Sequence, residues 1–326
     1  MRAFGKWLGR GLIGLAVLIS LVWFFGREPV DVAARFEPRR FGEGVQVYFE
    51  TVEARFDDIT SGTQKRVIWA GQAETRTPVS VLYIHGFSAT SEEIRPVPDR
   101  VAAVLGANLI YTRLAGHGRG SAAMAEPRVS DWMADVAEAL AAARAVGENV
   151  IVLATSTGGT LMAEAALQPE LSKGVRGIVF LSPNFGVNDP NAHLLTLPGM
   201  RYLLPVLVGA EHSWAAMNEA QAKYWTTRYP VAAMIPMAAL VKHAVAQDYS
   251  GVSIPALFYF SDRDQVVRAE ATRAIAARWG GGARVVPLPE GAEVGETAHV
   301  IAGDIVAPGN TEAAIAVILD WAAGVL

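Results

Sequence analysis

The chain has 326 residues, 52% of them hydrophobic and 18% charged, with a formal net charge of −4 and no cysteine. That composition supplies ample material for a large core, excludes a disordered chain, and offers no basic field for holding nucleic acid. The missing thiols remove disulfides, thiolate-ligated zinc and cysteine catalysis together.

The N-terminus carries the first pattern. Arg2, Lys6 and Arg10 precede an uncharged apolar run over residues 11–26, which Arg27 closes. As a helix at ~1.5 Å per residue the run spans ~24 Å, somewhat under a ~30 Å hydrocarbon core. Trp7 and Leu8 extend it, with Lys6 and Arg10 snorkelling towards headgroups. A cleaved signal peptide starts in the same way, but this run ends in bulky Trp23-Phe24-Phe25, and only Val32-Ala33-Ala34 offers small residues for cleavage. Residues 1–27 therefore read as a membrane-anchoring transmembrane helix, with the N-terminus cytoplasmic and the body on the extracytoplasmic side. The alternative is secretion after signal cleavage. Residues 28–44 read as a charged linker containing Pro and Gly.

From residue 45 to 326 the pattern is that of one α/β domain. Residues 45–56 and 65–70 alternate like strands exposed on one face. Residues 79–84, 109–112, 150–154, 178–181 and 256–260 are short, nearly continuous apolar runs, as expected of parallel strands buried on both faces. Helical stretches at 131–146, 157–167 and 267–279 separate them, and residues 284–288 and 311–326 read as a last strand and a closing helix. The alternation predicts a doubly wound, mostly parallel sheet with helices on both faces. Residues 187–248 break the rhythm with apolar, Pro-punctuated helical pieces. The expectation is a helical cap over the carboxyl ends of the strands, where open α/β sheets bind ligands.

The chemistry is concentrated in four motifs. Residues 150–159 read VIVLATSTGG, a buried strand running into a helix start with Ser156 at the junction. This resembles the G-x-S-x-G nucleophile elbow of the α/β-hydrolase superfamily, with Ala154 in place of the first glycine. Taken alone, the segment is equally well an ordinary Ser/Thr/Gly helix cap. His85-Gly86-Phe87, after an earlier strand, is similar to the superfamily's oxyanion segment; the resemblance implies that the Phe87 and Thr157 amides form the oxyanion hole, with His85 bracing the loop. Residues 258–267, FYFSDRDQVV, resemble the acid loop and imply Asp264 as the acid, with Asp262 as the competing carboxylate that shapes the loop. His299 follows the last strand, where the superfamily carries its histidine, and is the sole histidine downstream of the acid. His117, in a Gly-His-Gly loop, is structural in such proteins, and His193, His212 and His243 fall in the predicted cap.

The resemblance covers residue 45 to the C-terminus and points towards monoacylglycerol lipases, lysophospholipases and carboxylesterases. A serine at the elbow sets the chain apart from the haloalkane dehalogenase and epoxide hydrolase branches, which use aspartate there. It implies an α/β-hydrolase fold and a serine hydrolase that cleaves medium-chain or lipid-like acyl esters through Ser156, His299 and Asp264, with neither metal nor organic cofactor. An acyltransferase using the same triad, or a hydrolase of amide or carbon–carbon bonds, remains open on the sequence.

Overall fold

The computed structural model describes residues 2–326. It opens with a helix, α1 (Arg2–Phe25). Among the described residues, however, no helix is long and apolar enough to cross a membrane. This overturns the expected membrane-anchoring helix at residues 1–27, and with it the cytoplasmic N-terminus and extracytoplasmic body built on that helix. The physical reason lies in the charges. Lys6 and Arg10 fall inside α1, so its uncharged part, residues 11–25, reaches only ~22 Å at ~1.5 Å per residue against a ~30 Å hydrocarbon core. Beyond α1 the chain packs along the body. The Gly199 amide donates to the Gly26 carbonyl at 2.6 Å, the buried Glu28 carboxylate accepts from Arg201 and Arg128, and Val30, Val32, Ala34 and Phe36 lie against the core.

Chain order continues through α2 (Val45–Glu53), β1 (Arg66–Ile68), β2 (Thr77–Ile84), α3 (Val97–Val104), β3 (Asn108–Tyr111), α4 (Val129–Val146), β4 (Gly147–Thr155), α5 (Thr157–Ala166), the short α6 (Pro169–Ser172) and β5 (Val175–Leu181). Next come α7 (Met200–Val208), β6 (Glu211–Ser213), α8 (Glu219–Tyr224), β7 (Arg228–Pro230) and α9 (Met234–Val245), with β6 and β7 paired antiparallel apart from the main sheet. The chain ends through β8 (Ala256–Phe260), α10 (Ala269–Ala276), β9 (Ala283–Pro287) and α11 (Thr311–Ala322).

Residues 45–53 form a helix where alternation predicts a strand. Val45, Phe49 and Glu53 are its buried positions, a helical spacing that the same apolar residues satisfy as well as alternation does. The Glu74 carboxylate decides the matter by accepting from the first amides, Val45 at 3.3 Å and Gln46 at 3.0 Å. In α4 the Asp131 side chain reaches back to the Arg128 amide at 2.8 Å and closes the helix start.

The main sheet has seven strands in the order β1-β3-β2-β4-β5-β8-β9, all parallel except β1. Side chains alternate between two cores, as the two-residue period of a strand requires. Leu82, Ile84, Val150, Val152, Ile178, Phe180 and Phe258 face the α4, α5 and α9 layer, while Val81, Tyr83, Ile151, Leu153, Val179 and Leu257 face the α3 and α11 layer. Burial on both faces explains why these strands read as continuous apolar runs. From β2 the chain steps outward to β3, then crosses back to β4 on the other side. The β2 and β4 carboxyl ends therefore flank the point where strand order reverses, the place at which open α/β sheets as a class bind their ligands.

Candidate active site

Ser156 occupies the sharp turn between β4 and α5. Its backbone has φ 50° and ψ −119°, a region that a non-glycine residue enters only when its surroundings over-determine it. Those surroundings are explicit. A Cβ on Gly158 would come within 2.4 Å of the Ile84 carbonyl oxygen, and one on Gly159 within 2.9 Å of Pro183 Cβ. The elbow thus needs glycine at both positions for α5 to press against β2 and the loop after β5. Ala154, by contrast, is a regular β4 residue paired with Ile84 and Phe180, so a methyl group is accommodated there.

The three side chains singled out in sequence meet at this point. His299 Nε2 lies 3.0 Å from Ser156 Oγ, and His299 Nδ1 lies 2.7 Å from Asp264 Oδ2. The other oxygen, Asp264 Oδ1, accepts from the Val266 and Val267 amides at 2.8 and 2.9 Å, which fixes the carboxylate plane. The Gln265 amide donates to the Thr297 carbonyl at 2.8 Å, tying the acid loop to the histidine loop. With Nδ1 donating to Asp264, Nε2 is left as an acceptor facing the serine hydroxyl. Asp262 is elsewhere: it pairs with Arg273 at 2.6 Å on the exposed surface.

Burial disfavours a charged ring at His299. The Asp264 charge and hydrogen bond outweigh that penalty, Glu93 adds to them, and the imidazole is raised above its ordinary range. The other two histidines of the site region are held neutral by burial, His85 well below the ordinary range and His117 at about 4. His85 braces the loop after β2, with Nδ1 donating to the Gly86 carbonyl at 2.9 Å and Nε2 accepting the Leu114 amide at 3.1 Å. Among the described residues, neither the Phe87 nor the Thr157 amide has a protein hydrogen-bond partner. The Phe87 ring stands edge-on to His117, Trp132 and Tyr229. Further out, His193 and His212 are exposed, whereas His243 binds the buried Glu164 carboxylate of α5 at 2.8 Å, a pairing invisible in sequence.

Sequence reasoning passed over Glu93. It follows another glutamate and reads as part of a solvated run, yet it is buried against the Gly86 amide in the loop after β2. The one available signal is Tyr83, whose hydroxyl, placed in a strand buried on both faces, has to find a polar partner.

A protein-family model described as serine aminopeptidase, S33 (Hydrolase_4) matches residues 76–290. The chain belongs to this family. It is 30% identical over 190 residues to the thermostable monoacylglycerol lipase of Bacillus sp. (strain H-257), covering 58% of this chain and 72% of that protein. Solved structures with the same fold include one from the metagenome-derived lipolytic enzymes LipS and LipT (TM-score 0.63, 19% identity, 82% of this chain and 99% of that one). Another is the monoacylglycerol lipase of Paleococcus ferrophilus (TM-score 0.56, 15% identity, 80% and 98%). This Hydrolase_4 member has the α/β-hydrolase fold and is a serine hydrolase of the lipase and esterase group.

Proposed function

We propose that the enzyme hydrolyses medium-chain, lipid-like acyl esters through an acyl-enzyme formed on Ser156. One observation carries this reading: the two ring nitrogens of His299 bridge Ser156 Oγ and Asp264 Oδ2 at 3.0 and 2.7 Å. His299 Nε2 takes the hydroxyl proton as Ser156 Oγ bonds to the ester carbonyl carbon. Asp264 keeps the ring in the productive tautomer and stabilises the imidazolium. The Phe87 and Thr157 amides receive the developing oxyanion, each such donor contributing ~2.7–4 kcal/mol to the transition state. The imidazolium then protonates the departing alcohol, and water, deprotonated by the same nitrogen, releases the acid. No cofactor enters any step.

The base has a pH signature. His299 works only when neutral, and its environment raises its pKa, so activity climbs with pH and the midpoint of the climb lies above the ordinary ~6.5. A kcat/KM profile from acid to mildly alkaline pH checks this. A flat profile, with chemistry shown to be rate-limiting, contradicts a histidine base.

The acyl preference rests on residues 187–248, which we read as a cap over the crevice. Met124, Tyr229, Ala233 and Met234 form an apolar wall beside Phe87. In α7, Met200 and Leu204 are buried with Val231 and Ile235, while Leu203, Val206, Leu207 and Val208 remain exposed, more apolar surface than that small cluster uses. The surplus supports an acyl channel leading to Ser156. Each methylene placed in it contributes ~0.8 kcal/mol, close to fourfold in binding. In a p-nitrophenyl ester series kept below micelle concentrations, kcat/KM is expected to rise from acetyl to the hexanoyl–decanoyl range and then level. A steady fall from acetyl onwards removes the channel and leaves a small-ester esterase. The Bacillus relative is named for monoacylglycerols, which places such esters next in the series. The family's description as an aminopeptidase favours one second reading, amide cleavage; aminoacyl p-nitroanilides assayed alongside the esters separate the two.

A further inference from the structure

Glu93 is 2% exposed and belongs to none of the three catalytic positions. Its Oε2 accepts two hydrogen bonds, from the Gly86 amide at 2.8 Å and from the Tyr83 hydroxyl at 2.7 Å. The same Tyr83 oxygen lies 3.1 Å from Thr155 Oγ1, and Thr155 immediately precedes Ser156. Gly86 is wedged between this carboxylate and the nucleophile: a Cβ there would come within 2.8 Å of Glu93 Oε1 and 3.0 Å of Ser156 Cβ. The segment carrying Glu93 is itself immobilised, since Ala89, Thr90, Ser91 and Ile94 are buried and Gly303 packs against the Glu93 and Ile94 backbone. A single carboxylate oxygen thus joins the loop after β2, which carries Phe87, to the last residue of β4, which precedes Ser156.

We propose that Glu93 is a positioning residue of the oxyanion site, holding the Gly86–Phe87 peptide in fixed aim relative to Ser156. The inference rests on the reading of Ser156 as nucleophile. The Phe87 amide is useful only if it points at the position the oxyanion will occupy, and Phe87 sits on a loop, whereas the Thr157 amide is oriented by α5. His85 holds the Gly86 carbonyl and Glu93 holds the Gly86 amide, so both polar atoms of the residue preceding Phe87 are tied to buried side chains. A carboxylate accepts from a backbone amide more strongly than a neutral oxygen does. The titratable groups facing it are Tyr83 from β2 and His299 from the loop after β9. Burial pushes the Glu93 carboxyl above its usual range, against the opposing pull of the Gly86 amide, Tyr83 and His299. Retaining such a group at that cost, where an apolar side chain would pack, is the mark of a geometric task.

The test compares Glu93→Met, equal in size but without a strong acceptor, with Glu93→Gln, which keeps an acceptor oxygen, each confirmed as folded by its melting transition. Glu93→Met is expected to lower kcat by about 30-fold with KM within about twofold, short of the ~10²–10³ that follows outright loss of an oxyanion donor. Glu93→Gln is expected to recover kcat to within about fivefold of the native enzyme, because the acceptor oxygen persists. Native kcat in the methionine variant overturns the proposal, and so does a glutamine variant as impaired as the methionine one. If the methionine variant does not fold, Tyr83→Phe takes its place: a kcat loss of about fivefold at constant KM is expected from cutting one of the two bonds to Glu93, and native kcat overturns the proposal. Fluorophosphonate labelling of the native enzyme is run in parallel. If the native enzyme is not labelled at Ser156, the nucleophile assignment has failed; if it is labelled and Glu93→Met matches it in kcat, only the role of Glu93 has failed.

Discussion

Replacing Ser156 with alanine is expected to lower kcat by ~10⁵–10⁶-fold while leaving KM within a few-fold, the scale on which serine hydrolases respond to loss of the nucleophile. The size follows from what the change removes. Ser156 supplies the hydroxyl hydrogen-bonded to His299 Nε2, presented by a strained backbone at the strand-to-helix turn. Alanine adopts the same backbone and adds no bulk, so the proposed oxyanion amides and the rest of the site persist. What remains is the residual acceleration from binding and oxyanion stabilisation alone, ~10³–10⁴ over water. A steady-state comparison of purified native and variant enzyme on one ester checks this. A loss below about a hundredfold would show that another group performs the attack.

Asp264→Asn is expected to lower kcat by ~10⁴-fold, and Asp262→Asn by no more than a few-fold. The two carboxylates are two residues apart in sequence and opposite in circumstance. Asp264 Oδ1 is held by the Val266 and Val267 amides and Oδ2 faces His299 Nδ1. An asparagine keeps its oxygen on those amides and turns its NH₂ towards Nδ1, which must then accept. The proton moves to Nε2, and the ring can no longer take one from Ser156. Asp262 meets Arg273 on the open surface, where an ion pair contributes little. Measuring kcat for both variants at the native pH optimum separates them, and a reversed order would transfer the acid role to Asp262.

The sheet was legible because its strands are buried on both faces. Runs such as residues 150–154 and 256–260 leave little choice between strand and helix once glycine, proline and polar residues bound them at strand length. The elbow was legible because close packing demands small residues, and Gly158 and Gly159 face contacts of 2.4 and 2.9 Å that no side chain tolerates. Residues 45–53 were misread because Val45 and Phe49 satisfy a period of two as well as one of 3.6, and the deciding carboxylate, Glu74, lies 29 residues away. The N-terminal run was misread because Lys6 and Arg10 were expected to snorkel to headgroups and leave Trp7 and Leu8 in the span, whereas among the described residues no helix is long and apolar enough to cross a membrane. Motifs pointed to Ser156, Asp264 and His299 individually; that His299 reaches both of the others depends on loops after β8 and β9 whose path no local pattern encodes. Glu93 was out of reach for a related reason, since nothing in a Glu-Glu pair announces that one member faces solvent and the other a buried amide.

The proposed mechanism requires Ser156 to be the nucleophile, and reaction with a fluorophosphonate followed by peptide mapping tests that most directly. The site predicts a single phosphonyl adduct on Ser156, formed faster as pH rises through the titration of His299, and absent from Ser156→Ala. An adduct on Ser182 or Ser261, or no adduct on folded and active enzyme, would contradict it.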